Sequence, residues 1–244
     1  MVSKNQIKLI QSLQQKKYRN SHNLFVVEGE KSVNEFLKAQ FKLKSLFYTK
    51  DFLGENLDKN ALLITDKELA RISFLKTPQK VLALFYKPIA LAPKKNKLTL
   101  VLDSIQDPGN LGTIIRLCDW FNVSQLVCSN DTVDCYNPKV VQATMGSLAR
   151  IPIIYTDILT FLKTSNKTCY AADMSGANIY TTPLENEAIL VMGNEGNGLS
   201  KEVLKHIDKS LTIPRFNNTQ KPESLNVATA TAILLSEFNR ITQM

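Results

Sequence analysis

A chain of 244 residues with 44% apolar side chains suits one large globular domain or two small ones. No apolar run reaches the ~18 residues of a membrane span, and the N-terminal stretch Met1 to Gln6 has no signal-peptide core, so no membrane partner and a cytoplasmic location are expected. The net charge of +8 is uneven: residues 1–95 hold 18 Lys and Arg against 8 Asp and Glu, whereas residues 96–244 hold 12 against 14, which suggests an electrostatic arm for nucleic acid beside a catalytic or ligand-binding region.

In chain order, Ile7, Leu9, Ile10 and Leu13 recur at helical spacing over 4–16. Phe25-Val26-Val27 reads as a short strand, and Glu28-Gly29-Glu30 turns into a helix with Val33, Phe36 and Leu37 on one face. Residues 46–48, 62–64 and 81–85 are further short strands, and Asp66 is placed to cap a helix over 67–73. Two prolines and three lysines across 88–97 suit an extended connection. They divide the chain into a first domain over 1–90, a linker over 91–97 and a second domain over 98–244.

Beyond the linker the strands become apolar runs, at 98–102, 125–128, 151–154, 169–172 and 189–192. Such runs, alternating with helical patterns, indicate a parallel sheet covered on both faces. Cys118, Cys128, Cys135 and Cys169 show no C-x-x-C spacing, and His22 and His206 lie near none of them. Buried reduced thiols are expected, with no metal site.

Three polar loops follow apolar strands and precede helices. The first is Asp107-Pro108-Gly109-Asn110, a good turn, before a helix in which Arg116 is the only charge between Asp107 and Asp119. The second is Gly193 to Ser200. Its glycines start like a phosphate loop, but Leu199 stands where the phosphate-binding Lys belongs, and the G-x-x-G-x-G order is not a dinucleotide fingerprint. The third ends in Ser224-Leu225-Asn226-Val227 before a long apolar helix. Ser224 reads as a helix cap; Asn226 is a poor helix former at an otherwise apolar start. In a parallel sheet such loops gather at the carboxyl ends of the strands, where ligands bind.

Together these segments resemble the SpoU/TrmH family of RNA 2′-O-ribose methyltransferases, within the SPOUT class. The motifs that carry the resemblance are Asp107 to Arg116, Leu190 to Leu199, and Ile213-Pro214 with Ser224 to Val227. Asn137 to Ser147 is similar to the family's segment after the second strand, and Phe25 to Gly29 to its auxiliary domain. The resemblance implies a SPOUT-type parallel α/β sheet with a C-terminal trefoil knot, preceded by a small α/β domain that binds structured RNA (rRNA or tRNA). It implies S-adenosylmethionine as cofactor, bound by Gly193, Ile213 and Leu225. It implies Asn110, Arg116, Glu195, Ser224 and Asn226 as the polar active-site set, and a homodimer through the catalytic domain. A catalytically silent RNA-binding relative is the alternative; it would keep the basic region and lose those five polar residues, all of which are present. Two features depart from the family pattern. The link over 215–223 is about three residues longer and lacks Gly, and Gln142 stands where many relatives place Arg.

Overall fold

The computed structural model describes residues 1–52, 60–89, 92, 97–194, 196–216 and 224–242. They form two compact units. One comprises Met1–Ile89 with Asp134–Arg150, the other Ala90–Val133 with Ile151–Met244.

The first unit starts with helix α1 (Lys4–Ser12), closed at its N-terminus by a reciprocal capping box between Ser3 and Gln6. The single helix expected over 4–16 is two. The second, α2 (Lys16–His22), ends on Asn23 at φ 53°, a left-handed conformation that Asn tolerates. Strand β1 (Leu24–Glu28) is buried throughout. Then come α3 (Glu30–Lys38), β2 (Leu43–Tyr48), β3 (Ala61–Leu63), α4 (Asp66–Ile72) and β4 (Val81–Tyr86). The cap of α4 is Thr65 rather than Asp66: Thr65 Oγ1 accepts from Glu68 N, and the Glu68 carboxylate accepts in return from Thr65 N. The sheet runs β1-β4-β2-β3; β4 is antiparallel to both neighbours and β3 is parallel to β2.

Alternation along β1 divides the core of this unit. Leu24 and Val26 pack with Ile10, Leu13, Leu69 and Ile72 of α1, its C-cap and α4. Phe25 points the other way, to Phe36, Phe41 and Phe85.

The second unit holds β5 (Thr99–Leu102), α5 (Pro108–Trp120) and β6 (Gln125–Cys128). The next stretch, 134–150, belongs to the first unit and carries α6 (Pro138–Thr144) and one 3-10 turn, Ser147–Ala149. Its Tyr136 ring lies 4.7 Å from that of Phe25. Its Asp134 receives Arg19 Nε and Nη2 at 2.8 and 2.6 Å, while Arg19 Nη1 donates to the carbonyls of Leu13 and Gln14 at 2.9 and 2.8 Å. Arg19 is 2% exposed, and this full set of partners offsets the cost of removing both charges from water.

The second unit resumes with β7 (Ile153–Tyr155), α7 (Ile158–Lys163), β8 (Cys169–Asn178), β9 (Ile189–Met192), α8 (Lys201–Leu204), β10 (Lys209–Thr212) and α9 (Val227–Thr242). Its six strands are all parallel, in the order β10-β8-β9-β5-β6-β7. The parallel sheet expected from the apolar runs is therefore present, and β5, β6 and β9 are buried at every residue. From β5 the chain builds outward to β7, then returns to the other side of β5. The order reverses between β5 and β9, and the crevice outside the carboxyl ends of such a pair is where open parallel sheets bind ligands. The ten-residue β8 bulges against β10: Ser210 pairs with Ala171 but Leu211 with Ala177. Gly176 lies where a Cβ would come within 2.5 Å of Leu211 N, so only glycine permits that approach.

Candidate active site

Beyond β5, Asp103 N continues the ladder to the Met192 carbonyl at 2.9 Å. The buried Asp103 carboxylate accepts from Ser200 N at 3.1 Å. Ser104 is left-handed at φ 60°, an uncommon state for a residue with a Cβ, and it is held from several sides. Its N–H donates to Ser129 Oγ at 2.9 Å, its hydroxyl donates to Asp131, and its carbonyl accepts from Asn194 Nδ2 at 2.7 Å. The Ser104 hydroxyl, followed by that of Ser129, holds the Asp131 carboxyl below the usual aspartate value. Asp107 then caps α5, accepting from Asn110 N at 2.7 Å, with Pro108 in the first turn. Arg116 is exposed on α5, and among the described residues no hydrogen bond or ion pair holds it.

The loop after β9 is a tight hairpin. Asn194 and Gly198 exchange backbone hydrogen bonds at 3.0 and 2.9 Å. Asn194 Oδ1 accepts from Gly196 N and Asn197 N, an Asx turn. At Gly193 a Cβ would sit 2.4 Å from the Gly198 carbonyl carbon. Gly193 is thus required by the loop's own second arm. At Gly198, φ is 65° and nothing lies within 4 Å of a Cβ position, so that face of the loop is open. Glu195 lies outside the described residues.

After β10 come the half-buried Ile213 and Pro214; residues 217–223, most of the lengthened link, lie outside the described residues. Ser224 and Leu225 are exposed, Leu225 by 47%. The cap of α9 is Asn226, not Ser224. Asn226 Oδ1 accepts from Ala228 N and Thr229 N at 3.0 and 3.2 Å, and Asn226 Nδ2 donates to Asn110 Oδ1 at 3.0 Å. One hydrogen bond therefore joins the first turns of α5 and α9, two helices that pack together.

Of the residues singled out in the sequence, Asn110 and Asn226 touch directly. Gly193 shapes a loop pinned to the β5 exit through Asn194 and Ser200. Among the described residues, no hydrogen bond ties Arg116, Ile213, Ser224 or Leu225 to the Asn pair. Asp103, Ser104 and Asn194 organise the site and were not singled out. Asn194 left one trace, an Asn beside glycines in a loop of turn composition. No three His, Cys, Asp or Glu side chains gather as metal ligands among the described residues. An open glycine loop, with backbone polar groups and the exposed apolar Leu225 available, suits an adenosine-bearing cofactor better than a phosphate chain, which would call for a cation in the loop.

Residues 97–236 match the SpoU rRNA Methylase family, and residues 4–83 match the MRM3-like substrate binding domain. The chain is 30% identical over 241 residues to the 23S rRNA (guanosine(2553)-2′-O)-methyltransferase RlmP of Bacillus subtilis, covering 96% of each. Among solved structures it is similar to a TrmH-family protein from Porphyromonas gingivalis (TM-score 0.88, 40% identity, 99% of both chains covered). It is also similar to an AdoMet-bound rRNA methyltransferase from Sinorhizobium meliloti (TM-score 0.86, 30% identity, 99% and 97% covered).

Proposed function

Given that the chain belongs to the SpoU rRNA methylase family, we infer that it methylates a ribose 2′-hydroxyl of ribosomal RNA from S-adenosylmethionine. The observation that carries this reading is the Asn226–Asn110 hydrogen bond at the carboxyl edge of the parallel sheet, close in sequence to Leu225 and on the same helix as Arg116. When bound, S-adenosylmethionine supplies a methyl group on a positively charged sulfur. Gly193, Ile213 and Leu225 hold it, through the open loop and apolar contacts.

The protein's remaining task is to align the ribose oxygen and help its proton leave. Glu195, the one carboxylate of its loop, is the proton acceptor in this reading. Arg116 does not fill that role, since a guanidinium is not deprotonated in a protein and has no lone pair with which to accept. As a permanent cation it stabilises the oxygen as negative charge develops, or clamps the neighbouring phosphate. Ser224 adds a hydroxyl beside Leu225. The basic first unit supplies RNA affinity by neutralising phosphates.

The same reading includes a trefoil knot and a homodimer through the second unit. The return of the chain from the edge strand β10 to α5 favours the former. For the latter, α9 offers less than its sequence suggests: Val227, Leu234 and Phe238 are buried within the unit, and Ala230 and Ile233 half-buried. Trp120, 83% exposed at the end of α5, is the stronger argument. Light scattering at micromolar concentration should give twice the chain mass.

Single-turnover transfer of labelled methyl to 23S rRNA and to tRNA, both transcribed in vitro, tests the reading. Methyl should enter the 23S rRNA. Arg116→Ala should lower the rate about 10²–10³-fold with cofactor affinity intact. Arg116→Lys should recover part of it if a point charge suffices, and none if the forked geometry matters. Wild-type rates in Arg116→Ala would reduce Arg116 to a solvated helix residue.

A further inference from the structure

Glu28 follows Leu24 and Val26 on one face of β1, and with Val26 it borders a hollow of about 280 Å³. The other walls include Phe74 and Leu75, after α4, and Pro138 and Gln142 of α6, so the hollow lies within the first unit. Glu28 is only 6% exposed. The Ser73 hydroxyl donates to its Oε2, and Phe74 N donates to its Oε1 at 2.8 Å. A carboxylate has about four acceptor sites, so half of its capacity remains. The Gln142 side chain is exposed, and among the described residues no hydrogen bond holds its amide.

These walls suit a flat, partly polar ring system. The volume is just under the about 300 Å³ at which pockets for drug-sized ligands begin. A phosphate is a poor occupant beside a buried carboxylate, and Lys139 is the one cation among the described walls. Yet what this unit attracts is a polyanion, since Met1–Ile89 and Asp134–Arg150 hold 18 Lys and Arg against 9 Asp and Glu. Unpaired bases of RNA are bound by stacking on aromatic rings while side chains read their edges.

We propose that the hollow takes an unpaired guanine of the RNA, with Phe74 against its face and the Glu28 carboxylate accepting from its N1–H and N2 amino groups. The inference rests on the RNA-binding part of the methyl-transfer reading. Guanine is the RNA base whose pairing edge presents two adjacent donors; adenine, cytosine and uracil each set an acceptor beside a donor. The Gln142 amide can donate to the guanine O6. The hollow shares no residue with the three loops of the second unit, so what it supplies is recognition.

Fluorescence anisotropy of the full chain with oligouridylates tests this, one carrying a single central guanine and the others adenine or inosine there. Wild type should favour guanine over adenine about 5–150-fold, the span of one bidentate base contact. Inosine, which lacks the N2 amino group, should fall between. Glu28→Gln, which replaces an acceptor by a donor, should abolish the preference. Ala143→Phe, which fills the hollow from α6, should do the same and leave the salt dependence unchanged, because no phosphate contact is lost. Gln142→Ala, at an exposed position, serves if either variant does not fold, and should weaken the guanine oligomer alone.

Equal wild-type affinity for the guanine and adenine oligomers, or a preference that survives in folded Ala143→Phe, would overturn the proposal. Methyl transfer is read out separately. A wild type that prefers guanine but methylates neither 23S rRNA nor tRNA would keep the hollow and lose the reaction.

Discussion

The two units use polar side chains in opposite ways. The first spends them on closure. Arg19 and Asp134 pair in the interior, Glu28 lies buried on β1, and most of the cations are left outside. The second keeps its central strands largely apolar and gathers polar side chains beyond their carboxyl ends, where Asp103 and Asn194 bind backbone groups of neighbouring loops, Asp107 and Asn226 cap the helices that follow them, and Ser104 donates to Asp131. A surface that meets an extended polyanion needs a firm shape beneath its charges. A site that must bind a cofactor and align an oxygen needs loops held from below with one face open.

The largest effect that would test this contrast is at Arg19. Arg19→Ala leaves Asp134 buried without its partner, a loss of about 3–5 kcal/mol, and it should fall on the first unit. Hydrogen exchange should speed up in β1 and α6 far more than in β5 and β9. Equal acceleration everywhere would show that one cooperative structure, not two, answers the mutation.

Gly193→Val comes next. Its Cβ would strike the Gly198 backbone, so the loop must open, at about 1–3 kcal/mol. Calorimetry should then find S-adenosylmethionine affinity lost although the sheet remains folded. Wild-type affinity would remove Gly193, and the 193–199 loop with it, from the cofactor site.

The smallest effect is a pair of opposed pH responses. Burial raises the Glu28 carboxyl above its ordinary 4.5, against the lowering effect of the Ser73 hydroxyl and Phe74 N–H. Its contribution is therefore fully present below the unfolded value and lost as pH rises through the raised folded one. The Asp131 carboxyl is lowered from 3.8, so its contribution is present above that value and lost on acidification. Glu28→Gln should flatten the loss of β1 protection as the pH rises above 4.5, while Asp131→Asn should flatten the loss around Ser104 as the pH falls below 3.8. A change of the same sign in both variants would contradict the assignment.

The parallel sheet was legible because strands buried on both faces are written as unbroken apolar runs, and its three loops because glycine, proline and asparagine punctuate them. What stayed hidden depended on contacts that no local pattern encodes. Ser224 and Asn226 are both good caps two positions apart, and only the start of the helix chooses between them; the same ambiguity separates Thr65 from Asp66. Gly193 announces a close approach but not to what, and on its Cβ side the neighbour is the Gly198 backbone. Nothing in 134–150 marks it as part of the first unit, because Tyr136 and Asp134 find Phe25 and Arg19 only in three dimensions. That segment also changes how the units can be separated. A chain beginning near Lys97 would carry Asp134 and Tyr136 stripped of their partners, so it would not isolate the cofactor-binding part cleanly.

The same segment imposes a schedule on the newborn chain. Arg19 and Asp134 are 115 residues apart, as are Glu35 and Arg150, which also pair. At a synthesis rate of about 5–20 residues per second, the N-terminal helices wait roughly 6–23 s for the carboxylate that neutralises Arg19. Through that interval β1 lacks the ring of Tyr136 and the helix α6 that pack on it. The first part of the protein to leave the ribosome is therefore completed only after the central strands β5 and β6 have been made, so the two units mature together rather than in turn.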